Sequence, residues 1–178
     1  MSLVEREDKP PTPLRATRQI RAVGAVPDAE GLFVGALLYS APDEVVDVLR
    51  YVKDDDLAAP ALRAILASIR EVLTSGGAFH PLAVLDRLER RDGPRAAVRR
   101  ALTDCTTNGA ASCPEAVRDY AVIVVSRSLR RCLESGGNAL QVAADQGAEN
   151  GLAPLADRVA DTARGIANRL ETLRGEAL

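Results

Sequence analysis

Leu62, Ile65, Leu66, Ile69, Val72 and Leu73 recur at steps of three and four residues, and Gly76-Gly77 closes the segment. An α-helix turns once in about 3.6 residues, so this spacing gathers all six side chains on one face. A strand would scatter them over both faces. The same rhythm recurs between proline and glycine breakers along most of the chain. Alanine is abundant, and Ala loses the least entropy on entering a helix. The 178-residue chain is 47% hydrophobic, yet it has three Tyr, two Phe and no Trp, so any core is aliphatic. These features predict an all-α fold.

Seven helical segments follow from the breakers. Asp28 suits the N-cap of a helix over about 29–40, with Leu32, Phe33, Ala36 and Leu37 inward, and Pro42 ends that segment. A second helix over about 43–53 carries Val45, Val48, Leu49 and Val52. Asp54-Asp55-Asp56 reads as an exposed turn and cap rather than a divalent-metal site, because successive carboxylates rarely converge. The third helix covers about 58–75. His80-Pro81 opens the fourth, about 80–91, with His80 as cap and Leu82, Leu85 and Leu88 inward. Gly93-Pro94 resets the chain for a fifth, about 94–107, with Ala97, Val98, Ala101, Leu102 and Cys105 inward; Thr106 to Pro114 reads as a loop. A long segment over about 115–146 has Val117, Tyr120, Ala121, Val124, Ser128, Leu129, Cys132 and Leu133 on one stripe, continued by Ala139, Leu140 and Ala143. Gly147 and Asn150-Gly151 form a turn, and a last helix over about 152–174 carries Leu155, Val159, Ala163, Ile166, Leu170 and Leu173. Two long adjacent helices joined by a short polar turn predict an antiparallel hairpin. The expected organisation is a polar, proline-punctuated arm over 1–26, a head of about five short helices over 27–112, and the hairpin over 113–178, head and hairpin forming one domain.

Several functional classes are excluded by chemistry. A nucleotide-driven motor needs a glycine loop ending in Gly-Lys-Ser/Thr. The only two lysines, Lys9 and Lys53, follow Asp8 and Val52, so neither closes such a loop. There is no paired-carboxylate, Cys-His or Ser-His constellation, so the chain does not read as an enzyme. Cys105, Cys113 and Cys132 with the single His80 lack the close pairs of structural zinc sites, so no metal or other cofactor is expected. The cysteines read as small buried apolar groups in a reducing cytoplasm. Residues 1–26 contain no apolar signal core, and no apolar run approaches the length of a membrane span. The net charge of −2 is no polycation. Locally, Arg87, Arg90, Arg91, Arg95, Arg99 and Arg100 cluster, opposed by Asp86, Glu89 and Asp92. That cluster reads as a solvated helix face, or alternatively as a basic patch for nucleic acid or an acidic partner, alongside Arg15, Arg18 and Arg21 of the N-terminal arm.

Four stretches resemble the amino-terminal domain of the bacterial replicative DNA helicase, the DnaB family. Glu30 through Leu38, with Gly35-Ala36-Leu37-Leu38 intact, resembles the family's opening motif; a helical Gly there suggests close helix packing. Asp55-Asp56-Leu57 through Ile65 is similar to its acidic turn and following helix, although Leu57, Ala58 and Leu62 replace an aromatic pair and a His. Gly76-Gly77 through Leu88 resembles a glycine turn and leucine-spaced helix, with His80 in the capping position. Val117 through Val124, followed by Leu129 to Leu133, looks like the segment leading into the hairpin. The resemblance implies a non-catalytic interaction module of the primosome. It implies contact with primase, replicative helicase or helicase loader, and a homodimer formed through the hairpin, for which Leu133, Leu140, Leu155, Val159 and Ile166 are the candidate surface. An exposed apolar stripe on such a hairpin needs a cover. The alternative is a small helical DNA-binding or regulatory protein using Arg87, Arg90, Arg91, Arg95 and Arg99. Two departures stand out. Ser135-Gly136-Gly137-Asn138 falls inside the hairpin helix, where two glycines cost about 2 kcal/mol relative to Ala and predict a kink or break. Leu178 falls where the family's linker and ATPase would begin, leaving open a stand-alone relative or a piece of a helicase.

Overall fold

Proline and glycine punctuate the computed structural model much as they punctuate the sequence. It describes residues 28–175 except 77–78, 94, 111–115 and 148. The expected arm over 1–26, with Arg15, Arg18 and Arg21, lies outside these residues, as do Gly77, Pro94, Cys113 and Pro114. The described helices are α1 (Ala29–Tyr39), α2 (Pro42–Leu49), α3 (Pro60–Thr74), α4 (Pro81–Asp92), α5 (Ala96–Ala110), α6 (Val117–Gln146) and α7 (Glu149–Arg174), with one 3-10 turn at Asp54–Asp56. No strand occurs among the described residues, so the fold is all-α. Prolines start α2, α3 and α4, where a missing N–H removes no helical bond. His80 caps α4 by accepting from the Ala83 N–H at 3.2 Å. Gly76 and Gly93, at φ of 66° and 71°, end α3 and α4 in a conformation other residues resist.

Helix α1 is the axis of the head. Phe33, Val34, Ala36, Leu37 and Leu38 are all buried, so it is covered on every side. It crosses α5 with the backbones in contact. A Cβ on Gly35 would stand 2.5 Å from the Cys105 carbonyl oxygen and 2.9 Å from the Gly109 nitrogen. This approach explains why α5 runs on to Ala110 instead of giving way to a loop at Thr106: Gly109 must be held against Gly35. Cys105 is buried in the same seam, and its thiol is pushed up to about 12 by burial and by the Asp104 charge, so it behaves as an inert apolar group. Ala97, expected inward, is exposed. Leu82 is corrected as well, being 71% exposed; α4 buries Val84 and Leu88 instead. Steps of three drift about 60° each around a helix, so Leu82, Leu85 and Leu88 cannot share one face, whereas a step of four nearly can.

The hairpin helices have 30 and 26 residues, so each extends about 40 Å at 1.5 Å per residue. Their base is part of the head's core: Val117, Ala121, Val124 and Val125 of α6 and Ile166, Leu170 and Leu173 of α7 join the buried cluster. Arg118 at the start of α6 donates to the carbonyls of Leu173 (2.8 Å) and Thr172 (3.2 Å), closing the C-terminal end of α7. The expected turn at Asn150-Gly151 is instead the first turn of α7, and Pro154 sits one turn inside that helix.

The expected break at Gly136-Gly137 does not occur; α6 is continuous from Val117 to Gln146. Gly136 is buried against α7, and a Cβ there would lie 2.5 Å from Val159 Cγ1, while one on Gly137 would meet nothing within 4 Å. Neighbouring glycines should therefore respond with opposite signs. Gly137→Ala should raise stability by about 0.5–1 kcal/mol through helix propensity alone. Gly136→Ala should lower it by about 1 kcal/mol or more, because β-branched Val159 cannot yield, and Val159→Ala should restore the loss. Urea unfolding of the three variants checks this, and equal shifts at both glycines would refute the packing.

Candidate interaction surface

Viewed down α6, Gly136 marks the seam with α7. Leu133, Gly137, Leu140 and Ala144 all fall on one flank of that seam, within about 100° of it. Leu133 is 52% exposed, Gly137 and Ala144 are exposed, and Leu140 is half-buried. Val142, 57% exposed, lies on the opposite flank. Of the other three expected surface residues, Val159 packs over Gly136, Ile166 is buried in the core, and Leu155 is half-buried on α7. The flank carried by Leu133 and Leu140, seven residues apart with a glycine between, has the spacing of a helix-pairing face.

The arginine cluster is interleaved with acids. Arg87 (3.0 Å) and Arg91 (3.2 Å) both pair with Glu71 of α3, Arg90 pairs with Asp86 (2.9 Å), and Arg99 pairs with Glu89. Arg95 and Arg100 are exposed. A duplex phosphate would have to compete with these carboxylates for most of the cluster.

Where the hairpin meets the head, polar groups are buried. Glu30 of α1 accepts from Arg131 of α6 (2.9 Å) and from the backbone N–H groups of Ala58 (2.7 Å) and Ala59 (3.4 Å). Asp56 accepts from Arg169 of α7 (Nη2 at 3.1 Å, with Nη1 on its other oxygen), from Ser128 Oγ of α6 (2.7 Å) and from the Lys53 N–H (2.7 Å). Arg131 also donates to the Asp56 carbonyl, and Arg169 to the Tyr51 carbonyl at 2.7 Å. Burial works to raise the Asp56 pKa. The hydrogen bonds from Arg169, Lys53 and Ser128, with the Arg169 charge, outweigh it and hold the carboxyl below its ordinary value. The acidic run is thus no mere exposed turn: Asp54 faces Arg70, Asp55 faces Arg63, and Asp56 is buried. Asp28 opens α1 without a side-chain cap and pairs with Arg127 at 2.7 Å instead.

The family model of the DnaB-like helicase N terminal domain matches residues 25–126, more than half of the chain. The chain belongs to the DnaB-like helicase N-terminal domain family. Among solved structures, it resembles the N-terminal domain of DnaB helicase from Mycobacterium tuberculosis. The TM-score is 0.61 at 24% identity, over 79% of this chain and 94% of that one, a likeness of fold. Comparison with curated proteins gives no match.

Family membership makes this a helicase-related replication module, from a non-catalytic domain. No described helix is long and apolar enough to cross a membrane. Two of the family-like stretches now have physical content: the opening motif supplies Glu30 and the Gly35 crossing, and the acidic turn supplies Asp56. Sequence reading overlooks Glu30, Asp56, Arg131 and Arg169. One signal was available: Glu30 is the single acid within a helix otherwise apolar on all sides, and such an acid is rarely buried without a partner.

Proposed function

We propose that the chain is a non-catalytic interaction module of DNA replication that pairs with a second copy through its hairpin and presents its head to primase, helicase or loader. The observation that carries this reading is the uncovered flank of α6, with Leu133 52% exposed and Leu140 one heptad away across Gly137. Apolar side chains at that spacing gain stability when a second helix covers them. Leu133→Asp should weaken self-association about tenfold or more, with the helical signal unchanged, because the residue is exposed in the monomer. Val142→Asp, on the other flank, should leave association unaltered. Sedimentation equilibrium of both variants is the test, followed by pull-down against primase and helicase. A monomeric parent protein at high concentration, or equal effects of the two substitutions, would defeat the pairing. The DNA-binding alternative is less favoured, because Arg87, Arg90, Arg91 and Arg99 already face carboxylates.

A further inference from the structure

We infer that Glu30, Asp56, Arg131 and Arg169 form a two-pronged latch that fixes the direction in which the hairpin leaves the head. Both acids belong to the head and are 3% exposed at the side chain. The two guanidinium groups come from different hairpin helices, Arg131 from α6 and Arg169 from α7. Neither helix can slide or roll on the head without breaking one of the pairs. Each arginine is also tied to a head carbonyl, Arg131 to Asp56 and Arg169 to Tyr51. Ser128 adds a second contact from α6 to Asp56.

The remaining contacts at the base cannot set a direction so sharply: the Arg127–Asp28 pair is half exposed and weakened by solvent. Ala121, Val124, Val125, Ile166 and Leu170 are held by apolar burial, which depends on area rather than on angle. A guanidinium facing a carboxylate is planar and directional. Desolvation offsets most of the attraction in a buried ion pair, so its contribution lies in selecting one arrangement over its neighbours. The latch belongs to the junction alone and acts in the same way whatever the outer hairpin binds.

The test replaces the whole set by neutral shapes, Glu30→Gln, Asp56→Asn, Arg131→Gln and Arg169→Gln, which leaves no buried charge without its partner. Spin labels are placed on the full chain at Arg100→Cys in the head and Gln141→Cys in the hairpin, both exposed positions. Cys113 and Cys132 are replaced by alanine, and Cys105 is buried and does not react. With the latch intact and the labelled chain diluted into an excess of unlabelled protein, pulsed EPR should give one narrow head-to-hairpin distance. In the neutral variant the distribution should broaden about twofold or more while helical content and a cooperative melt persist. Should the fourfold variant fail to fold, the pair Glu30→Gln/Arg131→Gln takes its place, and its distance distribution should broaden in the same way. An unchanged width in a folded variant overturns the inference. So does loss of folding in both variants, because a latch that only orients is removable without unfolding the head.

Discussion

Gly35→Ala should destabilise the head by about 3 kcal/mol, a lowering of Tm of about 6–12 °C for a domain of this size. The new methyl would point at the Cys105 carbonyl oxygen, 2.5 Å away, and at the Gly109 backbone, 2.9–3.0 Å away. Backbone atoms cannot move to another rotamer, so α1 and α5 must separate. Separation loosens a seam that buries Cys105 and holds Tyr39, whose hydroxyl donates to the Thr106 carbonyl at 3.2 Å. The gain in helix propensity, about 1 kcal/mol, acts in the opposite direction and is already included. Gly109→Ala should cost a similar amount, since it enters the same contact from the other side. The double variant should fall short of the sum, because the first substitution has already opened the seam. Urea titration followed by circular dichroism measures all three. A stabilised Gly35→Ala protein would mean that the two backbones are not in contact.

These glycines also show where sequence reading succeeds and where it fails. The α3 stripe is legible because Leu62, Ile65, Leu66, Ile69 and Val72 face one continuous core, and a helix buried on one side writes its period into the chain. Close packing at Gly35 is legible because a helical glycine is costly unless something lies against it. The same reasoning fails at Gly136, where the something is Val159, 23 residues ahead on a different helix. Local propensity counts the cost and cannot see the contact. The polar stretch Thr106 to Asn108 looks like a loop for a similar reason: its helical state depends on where Gly109 must sit. The ionic junction is hidden further still. Glu30 and Arg131 are separated by 101 residues and Asp56 and Arg169 by 113, and charged residues in sequence look alike whether exposed or buried. Only the pairing distinguishes them, and pairing is a property of the fold.

Arg169→Ala should be the most damaging single change at that junction. It leaves the Asp56 carboxylate buried with its main counter-charge gone, a defect worth about 3–5 kcal/mol. Removing both partners together, as Asp56→Asn/Arg169→Gln, should cost only about 1 kcal/mol, because no charge is stranded. Acid separates this from a simple loss of packing. In the parent protein Asp56 titrates below its ordinary value, so its contribution to stability is complete above about pH 4 and is lost as the pH falls through the lower folded-state pKa. In Arg169→Ala the balance reverses: burial still disfavours the charge, the largest opposing group is absent, and protonation now relieves the strain. The deficit of the variant relative to the parent should therefore be largest at pH 7 and shrink towards pH 4. Urea unfolding at the two pH values measures it. A deficit that stays constant between them would mean that Arg169 acts by filling space, and that the Asp56 charge is not what it holds in place.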